Sequence, residues 1–115
     1  MLSRLSISNY ALISSLDITF PDGLIIITGE TGAGKSILLG ALSLLLGKKS
    51  DPSVFHNKEK NCVVEGEFAD GTILRRVITP AGRSRSFLND EPINLSDLSA
   101  LSGKIIDIHQ QHQHL

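Results

Sequence analysis

The chain has 115 residues, of which 41% are hydrophobic and 20% are charged, with 11 Lys and Arg against 12 Asp and Glu. This length allows at most one small domain with a modest core, and the composition excludes a disordered chain. The formal net charge of -1 excludes a protein whose overall field attracts nucleic acid or anionic lipid, so any contact with DNA must be local.

Cysteine content and the N-terminus predict the compartment. Cys62 is the only cysteine, which excludes an internal disulfide and a cysteine-based zinc cluster. We expect it to be a small, half-buried apolar residue at the start of a strand. The N-terminus has no signal-peptide pattern, and no run approaches the roughly 18 apolar residues of a membrane-spanning helix. The sequence therefore predicts a soluble, cytoplasmic protein in a reducing environment, without a membrane partner.

The first half of the chain predicts strands, a turn and a helix. Residues 2–7 and 16–20 alternate apolar and polar side chains, which predicts two half-exposed strands that pair antiparallel. Residues 24–28 form a continuous apolar run, typical of a strand buried on both faces. Residues 35–46 are apolar on nearly every side and predict a largely buried helix that stops at Gly47. Residues 48–61 are rich in charge, Pro and Asn and predict an exposed loop.

The second half predicts an antiparallel meander. Residues 62–68, 72–79 and 84–88 are strand-like and are separated by turn signals. Asn94 or Ser96 is expected to cap a short helix that ends at Gly103. Residues 105–108 then predict one more short buried strand.

Residues 29–36, GETGAGKS, match the phosphate-loop pattern G-x-x-x-x-G-K-[ST] in full and lie between an apolar strand and a helix. Glycines allow backbone N–H groups to converge on a phosphate chain, and the helix adds unpaired N–H groups and the positive end of its dipole. Lys35 can extend to the β and γ phosphates, and the Ser36 hydroxyl is placed to ligate Mg²⁺. The predicted nucleotide-binding residues are Gly29, Glu30, Thr31, Gly32, Ala33, Gly34, Lys35 and Ser36, with Lys35 also catalytic. A glycine-rich turn without a ligand is the alternative interpretation.

The sequence argues against a GTPase or a small kinase. It contains neither Asp-x-x-Gly nor Asn-Lys-x-Asp, and its nearest approach, Asn57-Lys58-Glu59-Lys60, lacks the aspartate that a guanine base requires. Two strands precede the phosphate-loop strand, and a meander follows the helix where a kinase core has an immediate βαβ crossover.

Residues 5–47, LSISNYALISSLDITFPDGLIIITGETGAGKSILLGALSLLLG, resemble the RecN family of bacterial double-strand-break repair ATPases, in the SMC branch of ABC-type ATPases. The stretches VVEGEF, GRSRSFLNDEPINLSDL and IIDIHQQH extend the resemblance over essentially the whole chain. The resemblance implies an α/β fold, in which an antiparallel β subdomain packs against part of a RecA-like core. It also implies that ATP, with Mg²⁺, binds between two heads that dimerise.

The resemblance further implies that a Q-loop begins within residues 109–115. The family pattern is His-Gly-Gln-His, and this chain has His109-Gln110-Gln111-His112. Gln111 is the predicted Mg²⁺ ligand, Gln110 is the alternative, and a polar loop residue without a ligand is a third interpretation. The signature loop, the Walker B aspartate, the catalytic glutamate and the switch histidine would lie beyond residue 115. We therefore expect an N-terminal lobe of a head, with the coiled coil and C-terminal lobe absent, that binds ATP but is inactive alone.

Three other motifs have simpler interpretations. Residues 101–104 resemble the start of an ABC signature, but a helix C-cap at Gly103 is favoured. Asp107 has too short an apolar run before it for a Walker B strand. His109, His112 and His114 could share a metal ion, but solvated or partner-facing histidines are favoured because no fourth ligand is near.

Four arginines lie on the meander: Arg75, Arg76, Arg83 and Arg85. They could form a basic face for DNA phosphates, although the solvent-facing side of a sheet is the favoured interpretation. A module without catalytic activity that docks DNA or a partner is therefore the alternative function, in which the phosphate loop is a retained scaffold.

Overall fold

The computed structural model describes residues 2–20, 32–50 and 54–105, with the side chains of residues 32–35 and 104–105 left out. The predicted strand at 24–28 lies outside these residues. In chain order the elements are β1 (Leu2–Tyr10), β2 (Ile13–Thr19), α1 (Gly32–Leu45), β3 (Cys62–Phe68), β4 (Ile73–Ile78), β5 (Ser84–Leu88), β6 (Glu91–Ile93) and α2 (Leu95–Ile105).

The strands form one antiparallel sheet in the order β2-β1-β3-β4-β5-β6. The predicted pairing of the first two strands and the predicted meander are both confirmed. Strand β6 is an addition, and it pairs with β5 through a tight turn at Asn89 and Asp90, whose φ angles are 50° and 70°. Two consecutive positive φ angles are typical of the hairpin turns that match the twist of a sheet.

Period-two alternation divides the sheet into two faces. The register places Ile7 beside Val64, and Gly66 beside Leu74, on the inner face. Helix α1 packs on β3 and β4 of this face, and α2 packs on β5 and beside α1. The buried apolar residues form one cluster: Leu2, Leu5, Ile7, Ala41, Leu42, Leu44, Leu45, Cys62, Val64, Phe68, Leu74, Ile78 and Leu98. The prediction of a largely buried helix is confirmed. Cys62 begins β3 as predicted, but it is fully buried where half burial was expected, because it faces the inner side of the sheet.

Helix α1 begins at Gly32, earlier than the predicted start at about Lys35, and its predicted stop at Gly47 is confirmed. Gly47 has a φ of 92°, which a residue with a β-carbon rarely adopts. The N–H of Gly47 donates to Leu44 O and that of Lys48 donates to Ser43 O, both at 3.1 Å. These two bonds form a Schellman cap, which satisfies carbonyls at the end of the helix.

Helix α2 corrects two predictions at the end of the chain. It continues through Gly103 to Ile105, so Gly103 is not a C-cap and residue 105 does not begin a strand. Gly103 is exposed and has open space where a β-carbon would lie. The helix continues through it, and the only expected cost is the loss of stability that any glycine causes inside a helix. Ser102 is fully buried inside the helix and donates to Ser99 O at 3.3 Å, which supports rejecting residues 101–104 as a signature loop.

Candidate functional site

The phosphate-loop motif lies at the N-terminus of α1. Gly32 to Ser36 are the first five residues of the helix, while Gly29, Glu30 and Thr31 lie outside the described residues, as does the Lys35 side chain. The first N–H groups of a helix have no partner within it, and they carry the positive end of its dipole. Helix α1 has no acidic residue in its first turn, and Ser36 is exposed. This end of the helix is therefore chemically suited to an anion.

The predicted ligand Gln111, its alternative Gln110 and the side chains rejected as ligands all fall in the last part of the chain. Gln110, Gln111, Asp107 and the three histidines from 109 to 114 all lie outside the described residues. Within residues 2–20, 32–50 and 54–105, no group of three His, Cys, Asp or Glu side chains could hold a metal ion. No helix in that part of the chain has the length and hydropathy to cross a membrane.

The opposite end of α1 is held by a buried arginine. Arg76 lies on the inner face of β4, where it is 2% exposed. Its Nη1 donates to Leu44 O at 2.9 Å and to Lys48 O, and its Nε donates to Ser84 Oγ at 3.0 Å. Burial lowers the pKa of its guanidinium. One side chain thus joins the end of α1 to the β4–β5 hairpin.

This position corrects the expectation that the four meander arginines lie on the solvent-facing side. Adjacent residues of a strand face opposite sides of the sheet, so Arg75 and Arg76 cannot share a face. Arg75 does lie on the outer face, where it pairs with Asp90 at 2.9 Å and Glu65 at 3.6 Å and covers the Phe87 ring. The sequence signal for Arg76 was its even spacing from Leu74 and Ile78, both buried.

Arg83 and Arg85 line a groove at the β4–β5 hairpin. Together with Thr79 and Ser84 they line an open groove of about 650 Å³. Both arginines are exposed, and neither forms an ion pair with any described residue, in contrast to Arg75. The groove therefore offers an anionic ligand two guanidinium groups that have no acidic partner within residues 2–20, 32–50 and 54–105.

A third feature fixes the chain that follows α1. The predicted loop is anchored in its second part, residues 54–61, by Asn9, which is 5% exposed. Asn9 Nδ2 donates to the carbonyls of Asn57, Lys60 and Asn61 at 2.9–3.2 Å, and Asn9 Oδ1 accepts from the Asn57 N–H at 2.6 Å. This network was not predictable locally, because Asn9 and its partners are about fifty residues apart.

The sequence profile of the AAA domain family matches residues 4–112. Curated DNA repair proteins named RecN are also similar along almost the whole chain. The Vibrio cholerae relative is 39% identical over 133 residues, covering 99% of this chain and 24% of the relative. The Halalkalibacterium halodurans relative is 37% identical over 134 residues, with the same two coverages. The chain thus spans about a quarter of the length of the curated relatives it matches.

Solved structures share the fold. An SMC head bound to the C-winged helix domain of ScpA has a TM-score of 0.75 at 21% identity, covering 91% of this chain and 41% of that chain. An SMC ATPase from work on ATP-driven dimerisation and DNA-stimulated activation has a TM-score of 0.72 at 21% identity. The match covers 91% of this chain and 80% of that chain. The recombination mediator protein RecF-ATPrS has a TM-score of 0.71 at 20% identity. The match covers 85% of this chain and 29% of that chain. These matches confirm the fold class predicted from the sequence.

Proposed function

We propose that this chain, which belongs to the AAA domain family and is similar to the RecN proteins, binds Mg·ATP as the N-terminal lobe of a DNA repair ATPase head. The observation that carries the proposal is the placement of the GETGAGKS motif, whose last five residues form the first turn of α1. An anion there would meet unpaired N–H groups and a positive dipole end, with no acidic side chain in that turn to compete.

Each motif residue has a proposed role. The backbone of residues 29–34 would surround the phosphates, Lys35 would neutralise the β and γ phosphates, and the Ser36 hydroxyl would hold Mg²⁺. Gln111 is the proposed second Mg²⁺ ligand, with Gln110 as the alternative. When bound, Mg²⁺ would neutralise charge on the transferred phosphoryl group. Among these groups, the exposed Ser36 at the start of α1 is compatible with the proposed role.

Hydrolysis is proposed to require a second head. The domain arrangement we propose has the phosphate loop at 29–36, the meander at about 62–92 and the Q-loop start at about 109–115. The remaining catalytic groups would come from regions of the longer relatives that this chain does not span, and from a partner head in an ATP-driven homodimer. DNA would be the partner of the full-length protein, in the cytoplasm of a bacterium and associated with the nucleoid.

Calorimetric titration of Mg·ATP and Mg·GTP into the chain tests this proposal, with phosphate release followed in parallel. We expect binding without base preference, loss of binding in Lys35→Ala, and negligible turnover. Lys49→Ala is the matched control, because Lys49 is an exposed lysine beyond the opposite end of the same helix. Absence of binding, or equal binding by Lys35→Ala, would refute the nucleotide site. Steady turnover would refute the requirement for a second head.

The groove of Arg83 and Arg85 favours a second candidate function, docking of a nucleic-acid backbone without catalysis. The two guanidinium groups, which have no acidic partner in the described part of the chain, could each contact a phosphate. The test is fluorescence anisotropy with labelled duplex DNA over a range of salt concentrations. For the Arg83→Ala and Arg85→Ala double variant, we expect weaker binding and a salt slope about 2 units shallower. Lys58→Ala with Lys60→Ala removes equal charge from an exposed segment and should leave the slope unchanged.

A further inference from the structure

The buried guanidinium of Arg76 is unusual in its partners. No carboxylate pairs with it among the residues that the structure describes, whereas Arg4 and Arg75 both have acidic partners. Its hydrogen bonds go to two backbone carbonyls and one hydroxyl. Burying a charge is costly, and an apolar side chain of similar volume often gives equal or greater stability. Stability alone is therefore a weak explanation for an arginine at this position.

The two carbonyls lie on either side of the Gly47 cap. Leu44 O belongs to the last turn of α1, and Lys48 O comes directly after the cap. This end of the helix carries the negative end of the dipole, which a guanidinium complements. The planar fork of an arginine also fixes direction, which a lysine ammonium does not. Arg76 therefore holds the end of α1 in one position relative to β4.

The rest of the contact between α1 and the sheet is largely apolar. Leu42 and Leu45 pack into the core through dispersion contacts, which have little directional preference. Hydrogen bonds are directional, so those of Arg76 add a constraint on the position of the helix along its own axis. Since a helix is a rigid rod, a shift at Leu44 moves the first turn, Gly32 to Ser36, by a similar distance.

We infer that Arg76 is a positioning residue for the phosphate loop, acting through α1 from the end opposite the nucleotide. This inference rests on the proposed nucleotide site. Arg76 would set the position of the loop N–H groups and of Ser36 without contacting ATP. Because hydrogen bonds weaken steeply when their distance and angle depart from the preferred values, displacement of the N–H groups at the start of α1 should weaken nucleotide binding.

The experiment compares Mg·ATP affinity in Arg76→Met, Arg76→Lys and Leu74→Ala, at a temperature where circular dichroism shows each variant to be folded. Arg76→Met keeps approximately the same volume and loses every hydrogen bond, and we expect a loss of Mg·ATP affinity of about 10-fold, the equivalent of one hydrogen bond to a charged phosphate. Arg76→Lys keeps the charge without the fork and should lose several-fold. Leu74→Ala is the control, because it leaves a cavity on the same face of β4 without touching α1's carbonyls. It should bind within about 2-fold of wild type despite a lower melting temperature.

Wild-type affinity in Arg76→Met would overturn the inference, as would an equal loss in Leu74→Ala, since Arg76 would then act only through stability. If Arg76→Met does not fold, the Mg·ATP affinity of Arg76→Lys tests the inference instead. An affinity of Arg76→Lys equal to that of wild type would then refute the role of the planar guanidinium. Failure of the wild-type chain to bind Mg·ATP is a different result, because it refutes the nucleotide site itself.

Discussion

The hydroxyl of Tyr10 lies against the backbone of Gly40, so close that a β-carbon at position 40 would come within 2.2 Å of the hydroxyl oxygen. Gly40 is in the middle of α1, and Tyr10 is the last residue of β1. A glycine within a helix usually costs stability, so this one has a packing reason. The close approach lets the helix lie near the end of the β1–β2 hairpin.

Gly40→Ala should therefore destabilise the chain by about 1 kcal/mol, because the overlap outweighs the gain in helix propensity. In a Tyr10→Phe background the same substitution should stabilise, by up to about 1 kcal/mol, since the nearest ring atom is then an ordinary contact. That atom, Tyr10 Cζ, is 3.4 Å from the β-carbon position. Urea unfolding of the four proteins in this cycle measures the coupling. An effect of equal sign in both backgrounds would contradict the assignment of the overlap to the hydroxyl.

Asn94 is the N-cap of α2, which decides between the two caps that the sequence allowed. Its Oδ1 accepts from the Asp97 N–H at 2.8 Å, and Leu98 N–H donates to Asn94 O at 3.1 Å. Asn94→Ala should cost about 1 kcal/mol in urea unfolding. Ser96→Ala is the matched control and should change stability little, because Ser96 Oγ only donates to the Asn94 side chain at an exposed site. A larger loss for Ser96→Ala would reverse the assignment.

Features that depend on short-range pattern were predictable from the sequence. Alternation predicted β1 and β2, and strand-like runs separated by turn signals predicted β3 to β5. A glycine after an apolar run predicted the cap at Gly47. The prediction of a helix end at Gly103 was wrong. A glycine ends a helix in this way only where its backbone takes a positive φ, and the residues around Gly103 stay helical. The GETGAGKS motif predicted a phosphate loop before a helix, and its described part, Gly32 to Ser36, lies at the start of α1. The nucleotide site itself stays a prediction.

Features that depend on distant partners were not predictable. Arg76 bonds to Leu44 O across 32 residues, and Asn9 bonds to Asn57 O across 48 residues. Both partners are backbone carbonyls, which are present at every position and therefore leave no trace in the sequence. The alternation of side chains between the two faces of a strand could still have predicted that Arg76 lies on the inner face.

Asn9 fixes the segment 54–61 and should be the dominant anchor of that segment. Its φ of 59° is unfavourable for most residues but tolerated by Asn, and its amide makes four hydrogen bonds with residues 57–61. Asn9→Ala loses these bonds in a buried site and should cost about 2–3 kcal/mol. Hydrogen exchange of the Asn57 N–H should become faster, because its acceptor is removed. Asn57→Ala removes only an exposed bond to the Glu59 N–H and should leave the rest of the segment protected. Equal exchange in both variants would contradict the role of Asn9.

The pair of Arg4 and Asp17 should contribute to the acid dependence of stability. Arg4 Nε donates to Asp17 Oδ1 at 2.9 Å, and this hydrogen bond lowers the pKa of Asp17 from its ordinary value of 3.8. A lowered folded-state pKa gives a stabilisation that is present above pH 3.8 and is lost as the pH falls through the folded value. Asp17→Asn should therefore unfold with a shallower pH dependence in this acid range, and Arg4→Gln should have the same effect. Because both side chains are about half exposed, added salt should reduce the difference. An unchanged acid profile in both variants would contradict the pairing.

Cys62 should make stability depend on pH in the alkaline range, with the opposite sign. Its thiol is fully buried, and burial raises its pKa to about 11, while the charge of Arg76 partly opposes the shift. The unfolded thiol ionises near pH 9.0, so unfolding becomes more favourable as the pH rises from 9.0 towards 11. Cys62→Ala lacks this ionisation, and the stability difference between wild type and Cys62→Ala should shrink between pH 8 and pH 10.5.

Native Cys62 should also react with a chromogenic disulfide at pH 8 only as fast as the chain opens, since the neutral buried thiol is a poor nucleophile. Rapid labelling of the folded chain, at a rate that does not respond to mild urea, would show that the thiol is accessible and would contradict the burial.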